Sequence, residues 1–128
     1  MKIEKSDDNY NVIKTNISQY FIKSFMENTC DIVLAEYDGI IVGIGLVFYY
    51  DSVPSLYNPT GKNGHITSMF VDEQYRRNGI ASQILGKIIN IAKEKECGAL
   101  HLSASEEGKH LYEKFGFNYN RNSMSIKL

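Results

Sequence analysis

Tyr75-Arg76-Arg77-Asn78-Gly79-Ile80-Ala81-Ser82 is the stretch on which the reading of this chain turns. Residues 65–71 before it are β-branched and aromatic, and predict a strand. Asp72, Glu73 and Gln74 break that strand. After Gly79, the residues Ile80, Ile84, Leu85, Ile88, Ile91 and Ala92 recur at helical spacing and predict a core-facing stripe. That helix closes in Lys93-Glu94-Lys95-Glu96 and stops by Gly98. The quoted stretch is therefore a turn leading into a helix N-terminus. The first turn of a helix has N–H groups without internal partners, and the helix dipole places partial positive charge there. The small residues Gly79, Ala81 and Ser82 let a diphosphate approach that backbone, and Arg76 and Arg77 add charge. The glycine spacing is not that of a dinucleotide or Walker loop.

Upstream, residues 32–37 read as a strand and Asp38-Gly39 as a hairpin turn. Residues 40–50 form its long partner, in which Gly43 and Gly45 signal a bulge or a close approach by another element. Residues 51–64, rich in Pro, Ser, Asn and Gly, predict a long loop, either functional or a tolerated surface insertion. Nearer the start, Ile17, Tyr20, Phe21, Ser24, Phe25 and Asn28 share a helical stripe, with Ser18 or Asn16 as its cap. The first fifteen residues are mostly polar, and Val12 and Ile13 alone could hardly make a core strand. Downstream come a strand over 99–103, a helix over 106–115 stopped by Gly116, and a tail over 118–128. In that tail Met124, Ile126 and Leu128 fall on one face and predict a final strand or hairpin half. The order helix, three strands, helix, strand, helix, strand gives an α/β protein with a mixed sheet.

The chain has 128 residues, 43% hydrophobic and 23% charged, which suits one compact domain over residues 1–128. A formal net charge of -1 supplies no basic field for nucleic acid or an anionic membrane. The two cysteines, Cys30 and Cys97, fit no metal-ligand spacing and read as reduced thiols. No apolar run reaches the roughly 20 residues of a membrane helix. The polar N-terminus has no signal core, so the expected location is the cytoplasm. His65, His101 and His110 show no ligand spacing, so no metal is expected.

Arg76-x-x-Gly79-x-Ala81 resembles the Gln/Arg-x-x-Gly-x-Gly/Ala signature of the GNAT N-acetyltransferase superfamily. Downstream, Leu111-Tyr112-Glu113-Lys114-Phe115-Gly116-Phe117 is similar to that family's Leu-Tyr-Glu-Lys-x-Gly-Phe segment. The resemblance covers about residues 32–128 and extends to Gly61-Lys62 and to Ser105-Glu106-Glu107-Gly108. It implies a mixed, mostly antiparallel central sheet flanked by helices, here with a short or missing first strand. It implies acetyl-CoA as cosubstrate, with backbone groups of Met69, Phe70 and Val71 on its acetyl and pantetheine arm. The residues Arg77, Asn78, Gly79, Ile80, Ala81 and Ser82 would wrap the pyrophosphate, with Arg76 at the start of the turn. Ser105 falls where many members bond the pantetheine arm with Asn; it also suits an N-cap, with Gly108 or Lys109 supplying the N–H.

Tyr112 matches the family's usual general acid, a phenol that protonates the departing CoA thiolate; a half-buried packing role is its alternative. His65 stands where some members carry a basic Glu and could take the amine proton, or could simply begin a strand. Thr67 and Ser68, on the same strand, and Tyr49, Tyr50 and Tyr57 near the loop could contact an acceptor. The resemblance thus implies transfer of an acetyl group to a primary amine, on a small molecule or peptide, in a ternary complex. The alternative is a catalytically weak acyl-CoA-binding sensor. No nucleic-acid or membrane partner is expected. A sheet edge left open by the weak first strand could be covered by pairing in a homodimer.

Overall fold

The computed structural model describes residues 8–120 and 122–128. Helix α1 (Asp8–Met26) precedes strands β1 (Cys30–Tyr37), β2 (Ile40–Asp51) and β3 (Lys62–Val71). A 3₁₀ turn (Glu73–Tyr75) leads into α2 (Ile80–Glu94), followed by β4 (Ala99–Leu102) and α3 (Lys109–Lys114). The sheet has four strands in the order β1-β2-β3-β4; the first two pairings are antiparallel and the last is parallel. The α/β expectation, with its mixed and mostly antiparallel sheet, matches this arrangement.

Local chemistry accounts for the hairpin. Asp38 and Gly39 both hold positive φ, 48° and 79°, the geometry a two-residue turn needs to match strand twist. On β2, a Cβ built on Gly45 would lie 2.5 Å from Ile84 Cγ2 and 2.8 Å from Ile88 Cδ1. The missing side chains at Gly43 and Gly45 therefore let α2 lie directly on the sheet. Ile84, Leu85 and Ile88 of α2 bury themselves against Val47, Ile66 and Val71. At the far end of that face, Tyr49 donates to Asp31 Oδ2 at 2.8 Å. Lys95 reaches the same oxygen at 3.1 Å and covers the Tyr49 ring at 4.3 Å. On the opposite face, Phe21 of α1 packs on Cys30, Leu46 and Phe48.

Several boundaries differ from the sequence reading. Helix α1 already runs from Asp8, the first described residue, so Asn16 and Ser18 are interior helical positions and do not cap it. Val12 and Ile13 lie in that helix, and the earlier part of the weak first strand falls outside the described residues. Strand β2 runs through Asp51 and β3 starts at Lys62, which confines the loop to residues 52–61. Burial of Asn63 explains the earlier start: its Nδ2 donates to Ser52 Oγ at 2.9 Å and to Gly61 O at 3.1 Å. Asn58, also buried, donates to Asn63 Oδ1 at 3.0 Å, so the loop is stitched shut from within. Helix α3 starts at Lys109 because Gly108 N donates to Ser105 Oγ at 3.1 Å, closing a separate turn first.

The predicted final strand is absent: no described residue of 118–128 joins the sheet, and Met124, Ile126 and Leu128 are exposed. Alternation supplies an apolar face, but a strand also needs a paired edge to satisfy its backbone. No helix among the described residues is long and apolar enough to cross a membrane.

Gly45→Val should lower unfolding free energy by about 2 kcal/mol, because the new side chain must displace Ile84 and Ile88. Urea denaturation checks this, and an unchanged midpoint would contradict the tight sheet–helix contact.

Candidate active site

Strands β3 and β4 pair only from Asn63↔Ala99 to Ile66↔Leu102, yet β3 continues to Val71. Beyond Ile66 the two strands part, and the edge of β3 that faced β4 loses its ladder partner. The bond from Asp72 N to Val42 O, 2.8 Å, sets the register parity. In an antiparallel pair, hydrogen-bonded residues alternate with residues whose peptide groups point away. Phe70, paired with Ile44, therefore faces β2, while Met69 and Val71 turn their peptide groups to the open side. The side chains of Met69 and Val71 pack on the α2 core, whereas the Phe70 ring is exposed on the other face.

The loop beyond β3 is folded back onto this edge. Arg76 Nε donates to Val71 O at 3.1 Å, and Asn78 Nδ2 donates to the carbonyls of Tyr75 and Arg76 at 3.1 and 3.3 Å. Arg77 and Gly79 take positive φ of 66° and 75°. Gly79 precedes the first helical residue, and nothing lies within 4 Å of where its Cβ would be. The first bond into α2 is Gln83 N to Gly79 O at 3.1 Å, which leaves the N–H groups of Ile80, Ala81 and Ser82 outside the helical ladder. No acidic residue occupies that first turn. Ile80 and Ala81 pack on the core, so the turn is held rigidly beside the end of β3.

Tyr112 of α3 also packs on the core, with its ring edge-on to Phe117 at 5.9 Å. It lines a cleft of ≈ 1110 Å³ that runs along β4, α3 and the residues after it; no residue of β3 or of the first turn of α2 lines this cleft. Burial pushes the Tyr112 phenol above its ordinary pKa, so it stays protonated at neutral and mildly alkaline pH. Ser105 is exposed at the mouth of the turn before α3, its Oγ taken by Gly108 N.

His65 sits on β3 in register with His101 on β4, one pair before the strands separate. His101 Nε2 lies 3.2 Å from Asn63 Oδ1, which also accepts from Asn58; an accepting oxygen makes His101 Nε2 the donor. His101 thus belongs to the loop-anchoring network, while His110 is exposed on α3. Of the three tyrosines near the loop, Tyr49 and Tyr50 line one small hollow and Tyr57 lies apart from it. Tyr49 is tied to Asp31, Tyr50 stands 6.3 Å from the His101 ring, and Tyr57 is exposed. Thr67 is the extra residue where the β2–β3 register shifts, and its Oγ1 lies 3.5 Å from Leu46 O. Asn58 and Asn63 were missed in sequence; their only signal is polar residues flanking a strand start. Among the described residues no cluster of His, Cys, Asp and Glu could hold a metal ion.

The sequence and the fold have counterparts in known proteins. The sequence pattern of the acetyltransferase (GNAT) family matches residues 3–117. The chain belongs to this family. A predicted acetyltransferase of Clostridium acetobutylicum, solved with acetyl-CoA, is 30% identical, with a TM-score of 0.83 over 98% of this chain and 79% of that one. A GCN5-related N-acetyltransferase from Ralstonia eutropha JMP134 shares the fold, with a TM-score of 0.82 at 18% identity over 97% of this chain and 82% of that one. Glucosamine 6-phosphate N-acetyltransferase of Trypanosoma brucei brucei is 32% identical over 65 residues, 51% of this chain and 44% of that protein. Thialysine N-epsilon-acetyltransferase of Bos taurus is 30% identical over 79 residues, 59% of this chain and 44% of that protein. The matched part of this GNAT chain thus spans less than half the length of each of these two curated relatives.

Two phenols of this GNAT chain give a stability signature. Burial raises Tyr112, and burial followed by the Asp31 hydrogen bond and charge raises Tyr49. With folded pKa values above the unfolded one, the folded state holds its protons longer. That stabilisation is complete below the ordinary phenol value of about 10 and is lost as pH rises through the folded values. Urea midpoints measured between neutrality and strongly alkaline pH should fall for the wild type and fall less steeply for Tyr49→Phe. Parallel profiles would contradict the buried, bonded phenol.

Proposed function

We propose that this protein transfers the acetyl group of acetyl-CoA to a primary amine by direct attack in a ternary complex. The observation that carries the reading is the open edge of β3 beyond Ile66, lying beside the unbonded first turn of α2. Acetyl-CoA fits both as a cosubstrate. Its pyrophosphate suits the N–H groups of Ile80, Ala81 and Ser82, with Arg77 and Asn78 around it and Arg76 tethering the loop. Its pantetheine arm is amide-rich, and suits the Met69 peptide group and the Val71 N–H as a surrogate strand, the Val71 carbonyl being held by Arg76. Ser105, in the turn that follows β4, adds a hydroxyl.

In the transfer step the amine nitrogen forms a bond to the thioester carbonyl carbon and the carbon–sulfur bond breaks. Tyr112 gives its phenolic proton to the departing thiolate, and its raised pKa keeps that proton available. His65 takes the proton released by the amine. The support for an enzyme over a binding module is Tyr112 itself, since mere binding needs no proton donor.

Tyr112→Phe should lower kcat by about 10²-fold while leaving acetyl-CoA affinity unchanged. Calorimetry and CoA release against a panel of amines measure the two quantities; an unaltered kcat would overturn the acid assignment. Gly79→Ala and Gly79→Glu both place a side chain at positive φ, at a cost of about 1–2 kcal/mol. Only the second adds negative charge. It should bind acetyl-CoA more weakly than the alanine variant by over tenfold, and equal affinities would sink the phosphate site.

A further inference from the structure

We infer that the acceptor amine carries an alkyl or aryl body that lies on an apolar shelf formed by Ile32, Leu34, Ile44 and Phe70. The inference rests on the acetyl-transfer reading of the β3–β4 opening and names its substrate class. The ladders align three rows across β1, β2 and β3: Cys30–Phe48–His65, Ile32–Leu46–Ser68 and Leu34–Ile44–Phe70. Registered neighbours project from the same face of a sheet. That face is the one opposite α2, because Gly43 and Gly45, at the alternate positions of β2, meet Ile80, Ile84 and Ile88.

Helix α1 roofs the first row: the rings of Tyr20 and Phe21 lie 4.8 and 5.5 Å from that of Phe48. Phe21 also covers Leu46 at the centre of the second row, and beyond it Ile32 is 42%, Leu34 52% and Phe70 56% exposed. These side chains are contiguous by register, and a contiguous apolar patch marks a binding surface more than scattered apolar residues do. Its position identifies the occupant. Phe70 lies between Met69 and Val71, whose peptide groups line the opening, so the shelf begins where the thioester would be presented.

Charge narrows the class further. None of these nine residues is Lys or Arg, and His65 is their only imidazole. A phosphate or carboxylate laid across the shelf would lose hydration with no cation in those rows to replace it. An alkyl chain or aryl ring would instead be buried favourably, with the half-exposed Tyr20 as an aromatic wall. Ser68, exposed in the middle row, is placed to bond the amine.

The test is CoA release from acetyl-CoA with 2-phenylethylamine, spermidine, lysine and glucosamine 6-phosphate, with acetyl-CoA affinity measured separately. The expected kcat/KM for 2-phenylethylamine exceeds the others by at least about tenfold. Leu34→Gln and Ile32→Gln, both on the edge strand, should each raise its KM about tenfold and leave its kcat unchanged. Preference for lysine or the phosphosugar, or an unchanged KM in both variants, would overturn the shelf and leave acetyl transfer standing. Dimerisation lost in both variants without change in amine kinetics would assign the shelf to a second copy and also overturn it. Failure of the wild type to bind acetyl-CoA, or binding without release from any of the four amines, would overturn the transfer reading and the shelf together.

Discussion

Strand β3 outruns its parallel partner. Pairing ends at Ile66↔Leu102, and the Met69 peptide group and the Val71 N–H are left facing a gap. Backbone donors and acceptors are costly to leave unpaired, so an edge held open inside a sheet demands a partner from outside the fold. The rest of the structure keeps that edge open and rigid. Val71 is buried in the α2 core, and its carbonyl accepts the Arg76 guanidinium, so the strand cannot relax toward β4 without breaking packing and a hydrogen bond.

Helix α2 is the second half of the same device. Gly43 and Gly45 let it settle onto the sheet, and the contacts of Ile80 and Ile84 fix where its first turn lies. The unbonded N–H groups of that turn then stand at a set distance from the strand edge. On the proposed function, a cosubstrate with an anionic end and an amide arm would meet both features at once. At the other end of the sheet, Asn58 and Asn63 anchor the 52–61 loop to the β3 start, and Tyr49 and Lys95 tie β1 to the end of α2. Those contacts hold the paired half of the sheet together while the other half opens.

Much of this was legible in the sequence because it depends on local chemistry. Asp38-Gly39 dictates its turn through positive φ, and Gly79 announces a helix start through small size and the apolar stripe that follows. The reach of α1 was not legible: Asn16 and Ser18 look like caps, but a helix that already runs from Asp8 places them on an ordinary solvated surface. Asn63 looks like a loop residue and is buried, because its partners Ser52, Asn58 and Gly61 come together only when the loop folds back. Alternation in the tail specified a strand face, yet pairing is a tertiary event that alternation cannot guarantee. In the site, motif spacing pointed to the residues of the turn and to Tyr112. The opening was legible only through the family resemblance, which implied free backbone groups at Met69, Phe70 and Val71; its extent depends on where β4 stops, and the apolar shelf exists only through the register of three strands.

Amide hydrogen exchange with and without acetyl-CoA tests the open-edge claim most directly. The account predicts that binding slows exchange at Met69, Val71 and the first turn of α2, while Phe70, already bonded to β2, stays as it was. Equal protection of Met69, Phe70 and Val71, or protection confined to residues away from β3, would contradict it.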